Sequence, residues 1–175
     1  MKIETAPRFA LHDLRALAAR YSYRDETAAI EAGQRALIAG FYTREDLLAV
    51  CGWKSRRTRP LWSHPSNSDR VVREVTRVAL STEVEQLKIA ALLALRGVNW
   101  PTASVLLHFG TSSRYPILDY RALWSMGNEK PPASYTFEYW WAYTEACRRL
   151  AAEAGVTMRE FDRALWQYSK EHPGQ

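Results

Sequence analysis

The feature that most constrains the fold is the stretch from Val84 to Gly127, VEQLKIAALLALRGVNWPTASVLLHFGTSSRYPILDYRALWSMG. Apolar residues recur there at spacings of three and four, which is typical of amphipathic helices. This periodicity breaks at Arg96–Trp100, around Gly97, and again between Phe109 and Asp119. The sequence therefore predicts a helix, a tight turn, a second helix, a loop, and a third helix that begins with one acidic residue, Asp119.

The rest of the 175-residue chain shows the same helical periodicity, and alternating strand patterns are scarce. Threonine followed three residues later by Asp or Glu predicts helix starts at Thr43, Thr82 and Thr157. The connectors at 59–68 and 127–134 are too short to separate domains. We therefore predict an all-α fold, with residues 1–175 forming a single helical domain; two lobes with a groove between them would also satisfy the pattern. The predicted helices cover roughly residues 8–20, 25–39, 43–51, 68–80, 82–96, 101–109, 119–126, 134–153 and 157–171.

Composition argues against several protein classes. No apolar run reaches the ~18 residues of a membrane span, and the N-terminal MKIETAPRF lacks the apolar stretch of a signal peptide. Cys51 and Cys147 are the only cysteines, and we interpret them as reduced thiols of a cytoplasmic protein. The cysteines and four histidines show no zinc spacing, so we predict no metal and no cofactor.

The turn after the first helix has the chemistry of an anion site. Gly97 can adopt a positive φ and let a phosphate approach closely, and Asn99 tolerates the left-handed region better than most residues. Pro101 suits the first position of the next helix, whose free N–H groups favour a phosphate. A helix connection that merely contains a glycine would give the same pattern. The residues of this turn predicted to bind a phosphate are Gly97, Val98, Asn99, Trp100 and Thr102.

The most basic segment, Gly52–Leu61, reads GWKSRRTRPL. The chain has a net charge of +5, which favours a polyanionic partner. Clustered cations neutralise phosphates, and a neighbouring tryptophan can stack on a base. The alternative is a solvated loop with Trp53 in the core. The residues predicted to bind phosphates are Lys54, Arg56, Arg57 and Arg59.

The order of these elements resembles the helix-hairpin-helix DNA glycosylase superfamily. The matching features are Leu95, Gly97, Val98, Thr102-Ala103 and Pro116-Ile117-Leu118-Asp119. A segment beginning Trp53-Lys54 ahead of LHF…YPILD…AL is similar to small bacterial members. The resemblance implies that the hairpin binds DNA phosphates and that Asp119 is the catalytic residue for cleavage of the sugar–base bond. A simple helix cap is the alternative role for Asp119.

The resemblance also implies a reaction type. Breaking an N-glycosidic bond builds positive charge on the sugar, which the Asp119 carboxylate would stabilise while it positions a water. Bifunctional members carry a nucleophilic lysine where this chain has Pro101, so we predict a monofunctional enzyme. Lys54 matches no position of that lysine. Iron–sulfur members have four closely spaced cysteines, which this chain lacks.

A flipped base needs flat walls to stack on. The residues predicted to line its pocket are Trp53, Trp100, Pro101, Tyr120 and Trp124, although each of them is more often a core residue. The superfamily's default substrates are damaged bases, and excision of modified cytosines from phage DNA is a second setting.

Three interpretations stand in order of preference. The first is a monofunctional DNA glycosylase that acts as a monomer on double-stranded DNA, without a membrane. The second is a non-catalytic helix-hairpin-helix DNA-binding or accessory protein, which would not need Asp119. The third is a helical protein-interaction domain, which would need neither the hairpin nor the basic segment.

Overall fold

The computed structural model describes residues 3–112 and 114–173, and within them the regular structure is helical, without strands. Two 3-10 turns, Leu11–Asp13 and Arg56–Thr58, precede helices α1 and α4. The ten helices are α1 (Leu14–Ala19), α2 (Thr27–Ala39), α3 (Arg44–Lys54), α4 (Arg59–Trp62), α5 (Asp69–Ser81), α6 (Glu85–Leu93), α7 (Trp100–Gly110), α8 (Tyr120–Ser125), α9 (Phe137–Glu153) and α10 (Met158–Glu171). The all-α prediction is confirmed.

The chain folds into two compact units. The middle unit is Arg24–Arg114, and the terminal unit combines the described residues of Met1–Tyr23 and Tyr115–Gln175. No helix of residues 3–112 and 114–173 is long and apolar enough to span a bilayer.

Helix α7 is the core of the middle unit. Most of its residues are apolar, and every residue from Thr102 to Gly110 is buried. Helix α2 crosses it closely, because a Cβ on Gly33 would lie 2.5 Å from the carbonyl oxygen of Phe109. The buried Tyr42 hydroxyl donates to the carbonyl of Leu106 at 2.8 Å and ties the α2–α3 connection to α7.

Helix α10 is the core of the terminal unit, where α1, α8 and α9 pack against it. The aromatic-rich helix α9 turns most of its rings inward: Tyr139, Trp140 and Tyr143 are buried. Arg20 forms two parallel bonds of 2.9 Å to the carboxylate of Glu171 and joins α1 to the end of α10.

Helix starts show where local sequence signals succeed and fail. The capping boxes of Thr43 and Thr157 are present. The Thr82 box is wrong: α6 begins at Glu85 after Val84, and the Thr82 hydroxyl accepts the Val84 N–H at 3.2 Å instead. Thr82 is instead the C-cap of α5, directly after Ser81, and its carbonyl accepts the Lys88 ammonium at 2.6 Å.

Two other predicted boundaries are wrong. The connector 59–68 contains helix α4, a single turn stabilised by an early Pro60 and by the Trp62 ring N–H, which donates to Thr58 at 3.2 Å. The first helix does not start at Arg8, because the Arg8 N–H donates to the carbonyl of Ser125 and not to a helical partner.

Candidate nucleic-acid interface and active site

The hairpin turn, Arg96–Trp100, joins α6 to α7 in the middle unit. Gly97 has a φ of +75°, which favours glycine, and the Val98 N–H donates to the carbonyl of Leu95 at 3.1 Å. A Cβ on Gly97 would lie 2.5–2.6 Å from atoms of Leu61 and Trp62. The close approach that Gly97 permits is therefore made by α4 of this chain, on the side where the sequence led us to expect a phosphate.

Asn99 does not adopt the left-handed conformation that the sequence suggested. Its backbone is extended, with φ −109° and ψ 177°, because its side chain caps α7. The Asn99 Oδ1 accepts the N–H of Thr102 at 3.1 Å and its hydroxyl at 3.0 Å. Pro101 is the second residue of α7, one place later than expected. Thr102 is thus buried behind the cap, and both its N–H and its hydroxyl donate to Asn99.

Two backbone donors of the hairpin turn are unused within the part of the chain that the structure describes. The N–H groups of Gly97 and Asn99 donate no hydrogen bond there, whereas those of Arg96 and Val98 do. Asn99 is exposed, while Val98 is buried and Trp100 is half-buried at the start of α7. The turn can therefore offer backbone N–H groups to an anion.

The arginine segment, Lys54–Arg59, links α3 to α4. Arg56, Arg57 and Arg59 are exposed and form no ion pair or side-chain hydrogen bond with other described residues. Several arginines elsewhere are engaged; Arg35, for example, binds Asp46 at 2.8 Å. Unpaired, exposed guanidinium groups suit phosphates, which they bind in bidentate geometry.

The structure brings the arginine segment and the hairpin turn together. Helix α4 begins at Arg59, and its Leu61 and Trp62 pack on Gly97. The two regions, 37 or more residues apart in sequence, are therefore neighbours in the middle unit. This is the packing that a shared phosphate-binding surface requires.

A groove of about 770 Å³ lies beside the arginine segment within the middle unit. It adds one cation that no sequence pattern singled out, Arg24, whose guanidinium donates to the carbonyl of Trp53 at 3.2 Å. The Trp53 ring is mostly buried, 8% exposed, and packs edge-on against Phe109 at 5.4 Å. Six of the lining residues are Arg24, Gly52, Trp53, Arg56, Arg59 and Trp62.

Asp119 ends the aspartate loop, Tyr115–Asp119, in the terminal unit. It is half-buried and caps α8, with its Oδ1 accepting the N–H of Arg121 at 2.9 Å. The cap that local sequence allows is therefore formed. A carboxylate in this position can both cap the helix and stabilise a positive charge, because accepting a backbone N–H leaves its negative charge in place.

Buried side chains fix the aspartate loop from two helices. The N–H of Ile117 donates to the Asp162 carboxylate of α10 at 3.0 Å, and the carbonyl of Ile117 accepts the Tyr143 hydroxyl of α9 at 3.2 Å. Burial, followed by the neighbouring Cys147 thiol and Asp162 carboxylate, raises the pKa of Tyr143 well above its usual value, so the hydroxyl stays a donor. Asp119 thus lies two residues after Ile117, whose backbone N–H and carbonyl are both held by buried side chains.

The predicted base-pocket residues divide between the units. Trp53, Trp100 and Pro101 belong to the middle unit, and Tyr120 and Trp124 to the terminal unit. Tyr120 is 62% exposed, and it lines a groove of about 310 Å³ with Trp124. The Trp124 ring stacks on Tyr168 with centroids 6.0 Å apart.

Sequence reasoning missed the residues that support Asp119. Asp162 carries a signal, since it stands on the apolar stripe of α10 beside Phe161 and is itself buried; a polar side chain on such a face needs a buried partner. Tyr135 carries none, yet it lies within electrostatic reach of Asp119: burial, followed by the Asp119 charge, raises the pKa of Tyr135.

Comparisons with known proteins agree with the helical architecture. No protein-family model matches the sequence, and a search of curated proteins finds no similar one. Among solved structures, the chain is similar to an 8-oxoguanine glycosylase/lyase of Methanocaldococcus jannaschii in complex with a 15mer DNA containing 8-oxoguanine. The identity is 17%, the TM-score is 0.52, and the match covers 92% of this chain and 80% of the other. The chain therefore has the all-helical fold of this glycosylase/lyase, as the resemblance predicts.

Proposed function

We propose that the protein is a monofunctional DNA glycosylase, which hydrolyses the N-glycosidic bond of a flipped, damaged or modified base and leaves an abasic site. The observation that carries the proposal is the aspartate loop: a half-buried Asp119 held beside a peptide that Asp162 and Tyr143 anchor. Rigid support of one carboxylate is what electrostatic stabilisation of a transition state requires.

The chemistry assigned to Asp119 follows from the charge that develops. As the bond from the sugar C1′ to the base nitrogen breaks, the electron pair leaves with the base and C1′ becomes oxocarbenium-like. The ionised Asp119 stabilises this positive charge. A water then adds to C1′ and loses a proton, for which Asp119 is the nearby acceptor.

The absence of strand cleavage follows from Pro101. A lyase step needs an amine that attacks C1′ and forms a Schiff base, and proline at this place in α7 offers none. Lys88 is buried, and its ammonium donates to the carbonyls of Ala79 and Thr82 at 3.1 and 2.6 Å. We therefore expect an intact strand with an abasic site and no enzyme–DNA adduct after borohydride; efficient trapping would identify a lysine, with Lys54 tested first.

Double-stranded DNA is the proposed partner, bound by the hairpin turn and the arginine segment. Their unused N–H groups and unpaired guanidinium groups match phosphate oxygens. Phosphate contacts do not distinguish DNA sequences, so the residues of the base pocket determine which base is excised. We assign this role to a monomer acting in the cytoplasm.

For the base itself, we propose a damaged or modified one, with a modified cytosine of phage DNA as the more specific candidate and antiviral defence as its setting. The exposed Tyr120 and the groove it shares with Trp124 offer an aromatic wall for stacking. Oxidised and alkylated bases are the competing substrates.

The test is an excision assay over a panel of substrates. The protein and an Asp119→Asn variant are incubated with duplexes carrying single modified bases and with phage genomic DNA, and alkali then converts abasic sites to strand breaks. The proposal expects breaks with the unaltered protein on at least one substrate and none with the variant. Tight binding without breaks on every substrate would favour the non-catalytic DNA-binding or accessory protein.

A further inference from the structure

Asn67 connects α4 to the hairpin turn inside the middle unit. Its side chain is 2% exposed. The Nδ2 donates to the carbonyl of Trp62 at 2.9 Å and to the carbonyl of Arg96 at 2.9 Å, and the Oδ1 accepts the N–H of Arg96 at 3.0 Å. One buried amide therefore fixes the last residue of α4 against the first residue of the hairpin turn.

The other side of this connection is anchored to α3. The Arg44 guanidinium donates to the carbonyl of Asn67 at 3.1 Å and to the carbonyl of Ser63 at 2.8 Å. Gly97 completes the connection, since Leu61 and Trp62 occupy the space of its missing side chain. A four-residue helix is unstable by itself, so the place of α4 depends on these contacts.

We propose that Asn67 is a positioning residue: it holds the hairpin turn and the arginine segment as one phosphate-binding surface, so that both contact the same DNA duplex. The inference rests on the proposed DNA-binding function. Gly97 and Asn99 supply backbone N–H groups on one side of the Asn67 contacts, and Arg56 and Arg57 supply guanidinium groups on the other.

The physical reason is preorganisation. Binding groups held in place before DNA arrives do not lose conformational entropy on binding, whereas loosely held groups do. Asn67 forms no part of the exposed surface, so it acts only through the residues that it holds. Loss of its amide should therefore remove phosphate contacts without removing any charge.

The test measures DNA affinity of the full chain against salt concentration. Asn67→Ala is expected to weaken binding to an undamaged duplex roughly tenfold at low salt. Each lost phosphate contact flattens the plot of log affinity against log salt by about 0.9, so the slope should fall by about one to two units. A role in stability alone would leave the slope of the folded protein unchanged.

Asn128→Ala is the matched control. Asn128 is a buried asparagine of the terminal unit that bridges two segments in the same way, with bonds of 2.8 and 2.9 Å to the carbonyl and N–H of Glu4. It should lower the melting temperature comparably and leave the salt slope unchanged. An equal loss of slope in this control would overturn the proposal.

Two further arms make the outcome decisive. Arg56→Ala with Arg57→Ala should flatten the slope less in the Asn67→Ala background than in the unaltered protein, because the segment is already displaced. Asn67→Ser, which keeps one hydroxyl donor, replaces the alanine variant if that variant fails to fold. If neither folds even in the cold while Asn128→Ala does, Asn67 is a folding residue and the proposal is wrong.

The salt dependence of binding distinguishes loss of the positioning role of Asn67 from loss of the proposed DNA-binding function. A steep slope for the unaltered protein, kept in folded Asn67→Ala, leaves the DNA-binding function intact and removes only the positioning role. Salt-independent or absent binding by the unaltered protein overturns both.

Discussion

The hairpin surface and the aspartate loop are built in opposite ways. Around the hairpin turn, guanidinium groups are exposed and unpaired among the described residues, and the N–H groups of Gly97 and Asn99 are unused. Around Asp119, the loop is pinned by buried, hydrogen-bonded side chains of α9 and α10. Unsatisfied exposed groups suit a partner that arrives from outside, whereas satisfied buried groups suit the placement of one carboxylate. This contrast is the basis of our proposal that the middle unit binds DNA and the terminal unit supplies the chemistry.

The largest expected effect lies on the chemical side of this contrast. Asp119→Asn keeps the cap to the Arg121 N–H but removes the charge, so excision should slow by roughly two orders of magnitude or more, while DNA binding persists. Asp69→Asn is the control, because Asp69 also accepts a backbone N–H, that of Arg44 at 2.8 Å. Excision rates for both variants check the prediction; full activity in Asp119→Asn would remove the role assigned to that residue.

The next effect tests whether the hairpin turn is as tightly packed as described. Gly97→Ala places a Cβ within 2.6 Å of the α4 backbone at a positive φ, so it should destabilise the fold by about 3 kcal/mol. Gly40→Ala shares the positive φ, +76°, but meets nothing within 4 Å, and should cost only about 1 kcal/mol. Urea unfolding of both variants gives the comparison, and equal losses would mean that α4 does not press on the turn.

A smaller effect belongs to the arginine segment. Arg56→Ala with Arg57→Ala should weaken binding to all duplexes alike and flatten the salt slope by up to about two units. Arg149→Ala, at a partly paired surface arginine 3.7 Å from Glu153, controls for the loss of one positive charge, half the change made by the double variant. An unchanged slope and affinity would place the interface around other arginines, such as Arg114 and Arg121.

The smallest effect belongs to an ion pair of the terminal unit that joins α1 to the end of α10. The Arg20 guanidinium lowers the pKa of Glu171 to about 2, so this pair stabilises the fold fully above the ordinary glutamate value of 4.5 and loses its effect as the pH falls towards 2. Arg20→Ala should lower the melting temperature at pH 7 by no more than about 3 °C. The difference between the melting curves should shrink below pH 4.5, and a constant difference would contradict the pairing.

The sequence predicted the helices well because their signals are local. Periodicity and capping boxes such as that of Thr157 need only neighbouring residues, and the hairpin and Asp119 were visible as a short ordered pattern. The predicted capping box at Thr82 is absent because Thr82 is the C-cap of α5. Local reasoning weighs each pattern alone and does not see this competition.

The supports of the site were not predictable in the same way. Helix α4 is too short for periodicity, and its contact with Gly97 joins positions far apart in the chain. Asn67 stands in a polar connector whose composition predicts exposure, yet it is among the most buried polar residues. Asp162 and Tyr143 reach Ile117 across the terminal unit, and no local pattern encodes those distances.

The central claim, that binding and chemistry are separated in this way, is tested most directly by single-turnover excision at saturating enzyme. Under that condition affinity no longer limits the rate. The account predicts that Asp119→Asn loses excision by roughly two orders of magnitude, while the Arg56→Ala and Arg57→Ala double variant excises at close to the unaltered rate. A double variant that stays slow at saturation, beside an active Asp119→Asn, would contradict it.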